Sequence, residues 1–370
     1  MKDFPLFRSV PAGMIGLGAM TVPLILLSLS PASAPLAVMI VIMLLPVAAC
    51  ICGLVCGAAP MMAGAFSGIF SLYCIAGTEG AQAAAVYLLP VMIAFFVVII
   101  RRIPFWKGCA VMIGAHVAAL AGCYLLIQSF VGGALFTRAG DAAAEYLASA
   151  EGGDYLLYAA YQNGLITLTD EMKGSLLVPQ AGGLVLGDAA RQDLLLSVRG
   201  FVNSLLVTLV PSLMVGQSIL GGVGCLALSL RWGSAAAQRR DYRQVIDDQK
   251  ELQAPDFPHL GMIPVSLWHI PRGIGWKVGV CWIAGSVMQA GASVPLAMGG
   301  MILYAAANAV FTLQGIAFIN FLQKAKGAKK GWRIALPILL YMISALPILG
   351  IMDQITNIRG LRPPRQPKEE

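Results

Sequence analysis

Long apolar runs and short polar connections alternate along the whole chain. Each run is close to the roughly 20 residues that an α-helix needs to cross about 30 Å of hydrocarbon with its backbone groups hydrogen-bonded internally. A transmembrane β-barrel would instead show short segments in which apolar and polar residues alternate. The pattern therefore predicts an all-α fold, a polytopic transmembrane helical bundle of about eight to nine spans.

Five of the predicted spans precede a large polar segment, and four follow it. They are Pro11–Ser30, Leu36–Cys56, Met61–Ile75, Ala83–Ile100, Cys109–Val131, Phe201–Leu230, Val278–Val294, Leu296–Phe321 and Ile334–Ile351. The first run resembles a signal peptide, since Lys2 and Arg8 precede it and Ala32-Ser33-Ala34 resembles a cleavage site. The run is too long for a signal peptide, so we interpret it as a retained span, with cleavage as the alternative.

Composition supports a membrane protein, because 58% of the 370 residues are hydrophobic and 12% are charged. The net charge of +7 comes mainly from Lys and Arg clusters near residues 2–8, 101–107, 231–277 and 324–333. Such clusters mark cytoplasmic loops, so they predict a bacterial inner membrane protein with a cytoplasmic N-terminus and no nucleic-acid partner. Nine spans would place the four cations of the C-terminal tail outside, which leaves the side of that tail open.

The charge pattern divides the chain into four segments. Residues 1–231 form a six-span bundle, with an acidic outer segment at 136–198 that predicts amphipathic helices over Ala142–Ala150 and Tyr155–Leu168. Residues 232–277 form a cytoplasmic helix over Ala235–Leu252 and an interfacial segment rich in tryptophan. Residues 278–352 contribute two to three spans, and residues 353–370 form a polar tail.

Polar side chains at membrane depth are the candidate substrate-binding residues, since such groups either line a solute pocket or bond neighbouring helices. They are Asn203, Gln217, Asn308, Gln314 and His116. For His116, proton relay and metal binding are weighed against helix packing, which is favoured.

We predict no catalytic residue, no cofactor and no metal site. The sequence lacks a Walker P-loop, a GxSxG elbow and an HExxH motif. Cys50, Cys52 and Cys56 do not have the spacing of paired CxxC motifs, and packing in apolar runs explains them better.

Three stretches in the last quarter of the chain carry a family resemblance. They are Trp268-His-Ile-Pro271-Arg272, Gln314-Gly315-Ile-Ala-Phe with Lys324 after it, and Gly350-Ile-Met-Asp353 with Asn357-Ile-Arg359. Together they resemble the YybS-like family of bacterial polytopic membrane proteins. Through that family, the six N-terminal spans are similar to the S components of energy-coupling-factor transporters.

The resemblance implies a transport-related protein that binds a small solute in a helical bundle and is not an enzyme. Its expected partners are the lipid bilayer, a small-molecule solute and a partner membrane subunit. By analogy with S components, the small residues Ala12, Gly16 and Ala19 would contact that subunit, and the outer segment would cover the pocket. The alternative function is a scaffold or regulator acting through the loop Arg231–Arg272. A membrane enzyme using Asp353 and Arg359 ranks third, since an ion pair at a helix end explains them equally well.

Overall fold

The computed structural model describes residues 45–54, 58–132, 134–180, 183–248, 265–291, 293–329 and 331–361. Nearly all regular structure in these ranges is helical, and the all-α prediction is confirmed for them. The predicted span Pro11–Ser30, the start of Leu36–Cys56 and the residues Ala12, Gly16 and Ala19 lie outside the described ranges.

The first described helices follow the predicted runs closely. Helix α1 is Leu45–Leu54, α2 is Ala58–Cys74, α3 is Gly77–Ile100 and α4 is Phe105–Val131. The helical backbone is continuous over Ala58–Ile100 except at Gly77, whose φ of 73° breaks the helix. Glycine has no Cβ to oppose a left-handed φ, so the kink falls where the sequence supplies one.

The acidic segment, which the sequence predicted to lie outside, contains two short helices and a hairpin. Helices α5 (Leu135–Ser149) and α6 (Gly153–Gln162) confirm the predicted helices there, although α6 ends six residues before the predicted Leu168. A 3₁₀ turn, Asp170–Ser175, follows, and strands β1 (Leu177–Gln180) and β2 (Gly183–Leu186) then pair antiparallel with Leu177 opposite Leu186. The hairpin was not predicted, because its four-residue strands are too short to show a clear period-2 pattern.

Helix α7 runs without a break from Asp188 to Asp248. It therefore begins 13 residues before the predicted span Phe201–Leu230 and continues through most of the predicted cytoplasmic helix Ala235–Leu252. The sequence analysis predicted a membrane span and a separate cytoplasmic helix here because hydropathy changes sharply near Arg231. Backbone helicity does not change there, since the polar residues that follow are also good helix formers.

The C-terminal part begins with a 3₁₀ turn, Val265–Leu267, followed by α8 (Arg272–Gln289) and α9 (Val294–Ala325). The last predicted span, Ile334–Ile351, is two helices, α10 (Trp332–Met342) and α11 (Ala345–Thr356), bent by 103° at their junction. Ser344 adopts a left-handed φ of 53° at that bend.

Among the described residues, four helices are long and apolar enough to cross a membrane. They are Gly77–Ile100, Phe105–Val131, Asp188–Arg231 and Val294–Ala325, and α10 with α11 makes a fifth if the bent pair counts as one span. These helices indicate a membrane-embedded protein. Helix α8 does not reach the same length and apolarity, so the predicted total of eight to nine spans stays a prediction.

The chain divides into two compact units, both discontinuous in sequence. Unit 1 contains the described residues within 1–123, 214–283 and 304–370, and unit 2 contains those within 124–213 and 284–303. The sequence had predicted four consecutive segments, whose boundaries stay predictions. The core of unit 1 includes Phe95, Met112 and Leu226, and that of unit 2 includes Leu157, Ala190 and Leu194.

Helices α9 and α11 cross in backbone contact within unit 1. A Cβ atom at Gly350 would lie 2.9 Å from the carbonyl carbon of Phe311 and 3.0 Å from the nitrogen of Gly315. A Cβ at Gly315 would lie 2.8 Å from the carbonyl carbon of Leu346. Small residues let helix backbones approach this closely in membranes, so both glycines are required by the crossing.

We predict that Gly350→Ala lowers the free energy of unfolding by about 1–3 kcal/mol, because the added methyl group must push α9 and α11 apart. Gly279→Ala is the matched control, since a Cβ at that helical glycine meets no atom within 4 Å. Thermal unfolding of both variants in detergent, followed by circular dichroism, checks the prediction. Equal unfolding temperatures for the two variants would contradict it.

Candidate functional site

A buried ion pair joins Asp353 of α11 to Arg359. The Arg359 Nη2 atom donates to Asp353 Oδ2 at 2.7 Å, and Nε lies 3.1 Å from both carboxylate oxygens. Only 2% of the arginine side chain and 3% of the aspartate side chain are exposed. Buried charges are expensive unless they are paired and hydrogen-bonded, and here both conditions are met.

The turn after α11 explains how these two residues meet although they are six positions apart. Asn357 ends the helix with a left-handed φ of 50°, and its backbone N–H donates to the carbonyl of Asp353 at 3.0 Å. Asparagine tolerates this conformation better than most residues, and a left-handed residue after a helix reverses the chain. The reversal returns the Arg359 guanidinium to the Asp353 carboxylate.

Gln314 of α9 extends the ion pair into a network. Its Nε2 atom donates to Asp353 Oδ2, and its Oε1 atom accepts from the backbone N–H of Ile270 at 3.0 Å. The side chain is 3% exposed. An amide can bridge in this way because it carries both a donor and an acceptor. Gln314 therefore connects α9, α11 and the segment before α8.

That segment, Val265–Pro271, is hydrogen-bonded at Ser266 as well as at Ile270. The Ser266 carbonyl accepts from Arg359 Nη1 at 2.9 Å, and Lys324 Nζ donates to Ser266 Oγ at 3.0 Å. The Trp268 ring packs against Phe105 and Trp106, with ring centroids 5.5 and 5.9 Å apart. Polar contacts at Ser266 and aromatic contacts at Trp268 thus fix an otherwise irregular piece of backbone.

The fixed segment forms one wall of a cavity of about 550 Å³, which lies entirely in unit 1. The other walls come from α4, α7, α8 and α9. The residues that line the cavity include Trp106, Ala110, Ile113, Leu267, Trp268, His269, Pro271, Ile274 and Gln314. The volume lies within the roughly 300–1,000 Å³ of small-molecule sites, which are also mostly apolar. This tryptophan-lined cavity is the candidate site.

The structure separates the five predicted substrate-binding residues. Gln314 lines the tryptophan-lined cavity, whereas Asn203, Gln217 and Asn308 are half-buried on α7 and α9 and are not among its lining residues. His116 is buried on α4, where its Nδ1 atom lies 2.9 Å from the Met112 carbonyl and its ring packs against Gly221. Helix packing accounts for the position of this histidine.

The residues that carry the family resemblance come together in space. Trp268 and Pro271 line the cavity, Gly315 and Gly350 form the helix crossing, and Asp353 and Arg359 form the ion pair. Arg272 is the first residue of α8. Sequence reasoning missed Ser266 and Trp106 as site residues. Trp106 carried a usable signal, because it follows Arg101 and Arg102 at the start of a span, where tryptophan marks the membrane interface.

Unit 2 has a smaller cavity of about 300 Å³, lined by residues within 201–208 and 291–297. Two of its polar side chains, Ser204 and Thr208, donate their hydroxyl groups to carbonyl groups of their own helix. The predicted cover, residues 136–198, does not contribute lining residues to this cavity. It is therefore a weaker candidate than the tryptophan-lined cavity.

Comparisons of the chain with protein-family models, with characterised proteins and with solved structures give no match. The functional argument therefore depends on the geometry of the site.

We predict that Asp353→Asn lowers the free energy of unfolding by about 3–5 kcal/mol, because it leaves the Arg359 charge buried without its partner. The control is Asp141→Asn, whose pair with Arg199 is about half exposed at 3.3 Å and should contribute less than about 1 kcal/mol. Denaturation in detergent, followed by tryptophan fluorescence, measures both.

The double variant Asp353→Asn with Arg359→Gln tests the cause of that loss. Removing both charges should restore part of the stability, so the two single effects should not add. Additive effects would show that the two side chains act independently and would contradict the coupling.

Proposed function

We propose that the chain is a transport-related membrane protein that binds a small molecule in the tryptophan-lined cavity and catalyses no reaction on it. The single observation that carries this proposal is a largely apolar cavity whose wall is fixed by the buried Gln314–Asp353–Arg359 network. A fixed wall lowers the cost of ordering the site when a ligand binds, as expected of a binding protein.

Non-catalytic binding is favoured by how the ionisable groups are used. Asp353 and Arg359, the pair weighed for a membrane enzyme, bond to each other and to Gln314 and Ser266. Neither is among the residues that line the cavity. An acid or base that acts on a substrate must come within hydrogen-bond reach of it, so this pair is better suited to holding the wall.

The proposal includes a location and a family. The distribution of Lys and Arg supports a bacterial inner membrane with the N-terminus in the cytoplasm. The convergence of the three resembling stretches on one site supports a relationship to the YybS-like family and, more distantly, to S components. A partner membrane subunit contacting Ala12, Gly16 and Ala19 belongs to the same proposal.

A scaffold or regulator is the second candidate, and the length of α7 favours it. The helix continues beyond its apolar part from Trp232 to Asp248, which at 1.5 Å per residue is about 25 Å. A helix that projects this far could present a surface to a soluble protein. In this case the cavity would hold no ligand that affects function.

Native mass spectrometry of the gently purified chain tests the binding function, because it records small molecules and protein partners together. We expect a bound small molecule in the wild type and in Ala118→Trp, but not in Ala110→Trp. Both alanines are exposed on α4, and Ala110 lines the cavity whereas Ala118 does not. The indole at position 110 would occupy the ligand's space.

The same spectra contain the opposing outcome. A wild-type chain without any small molecule, but with a stoichiometric protein partner, would reject the binding function and favour the scaffold. A ligand retained equally by both tryptophan variants would place its site elsewhere in the chain.

A further inference from the structure

The tryptophan-lined cavity offers few hydrogen bonds to a ligand. The Gln314 amide already donates to Asp353 and accepts from Ile270. His269 also lines the cavity, and it is exposed, with its Nδ1 atom 3.3 Å from the Leu267 carbonyl. Most of the remaining lining side chains, such as Ile113, Leu267 and Ile274, are hydrocarbon. A polar vitamin-like molecule would lose most of its bonds to water here without replacement, which is unfavourable. The cavity is suited to an apolar chain.

The cavity begins at the end of a membrane span. Trp106 is the second residue of α4, directly after the loop that contains Arg101 and Arg102. The α4 residues that line the cavity, from Trp106 to Ile113, cover two helical turns, or about 10 Å along the axis. The cavity therefore extends from the headgroup level toward the hydrocarbon, since arginine and tryptophan mark that level.

Large apolar side chains at the cavity are exposed. Trp106 is 49% exposed, Leu267 41% and Ile274 55%. Trp276, two residues along α8 from Ile274, is 73% exposed. A concentration of exposed apolar surface around an opening is unfavourable in water and favourable in lipid. A ligand would therefore enter from the bilayer.

Two cations without an ion pair to any described residue lie next to the lining residues. Lys107 follows Trp106, and Lys277 is one helical turn from Ile274, so each shares a helix end with part of the lining. Both are exposed, and the structure assigns no ion pair to either within the described ranges. Basic side chains at the edge of an intramembrane pocket are suited to anionic lipid headgroups.

We propose that the tryptophan-lined cavity holds an acyl chain of an anionic phospholipid from the surrounding bilayer, with its phosphate group at Lys107 and Lys277. This assignment rests on the binding function proposed above and names its ligand class. The apolar walls select for a chain, the exposed edge gives access from the membrane, and the two lysines select for negative charge.

The test uses the purified full-length chain in detergent with equal amounts of phosphatidylglycerol and phosphatidylcholine carrying identical acyl chains. Native mass spectrometry should show one phosphatidylglycerol per chain, favoured over phosphatidylcholine by about tenfold. Ala110→Trp should lose this lipid and Ala118→Trp should keep it. Lys107→Gln with Lys277→Gln should bind the two lipids equally, because only the headgroup contacts are removed.

The charge control is Lys326→Gln with Lys329→Gln, which removes two exposed lysines after α9 that do not flank the cavity. It should keep the preference for phosphatidylglycerol. Both lysine variants alter exposed side chains, so they should fold even if Ala110→Trp does not. Equal binding of both lipids to the wild type, or an unchanged preference in Lys107→Gln with Lys277→Gln, would overturn the lipid assignment.

Two failures can be told apart. If a non-lipid molecule co-purifies with the wild type and is lost in Ala110→Trp, while phosphatidylglycerol is not preferred, the binding function stands and the lipid assignment is wrong. If Ala110→Trp, folded as judged by circular dichroism, loses no bound molecule of any kind, both proposals fail.

Discussion

The Asp353–Arg359 ion pair is the interaction on which the candidate site depends. Both side chains are almost fully buried in a chain with few charges, so their desolvation must be compensated locally. Compensation requires donors and acceptors from several elements. Gln314 supplies one from α9, and the Ser266 carbonyl supplies one from the segment before α8. Because these charges need hydrogen-bond partners, α9, α11 and the segment before α8 are held together although they are far apart in sequence.

The glycine crossing makes this assembly sterically feasible. Because Gly315 and Gly350 let α9 and α11 meet at their backbones, Gln314 and Asp353, which are next to the crossing, come within bonding distance. Larger residues would separate the helices and leave the Gln314 amide N–H without its Asp353 acceptor in an apolar environment, at a cost of about 1–3 kcal/mol. Close packing and polar pairing are thus two parts of a single arrangement.

The polar network and the cavity have different roles, and their separation shapes the functional conclusion. The network uses its charges internally and fixes the segment Val265–Pro271, while the cavity that this segment lines presents mainly indole and hydrocarbon. In the function that we propose, such a site selects its ligand by shape and apolar surface, with charge selection left to exposed lysines at its edge.

The sequence by itself determined the class of the protein and most of its helices. Runs such as Ala83–Ile100 and Cys109–Val131 are apolar over the length of a bilayer, and no tertiary contact is needed to recognise them. It also singled out Gln314, Asp353 and Arg359, since polar residues at membrane depth are rare.

The role of these residues was decided by tertiary structure, because a lone glutamine on an apolar helix is compatible both with ligand binding and with hydrogen bonding between helices. Tertiary structure also decided that His116 packs between helices, and it showed that α7 continues past its apolar part. Hydrogen-bond partners, cavities and helix crossings arise between elements distant along the chain, and no local pattern specifies them.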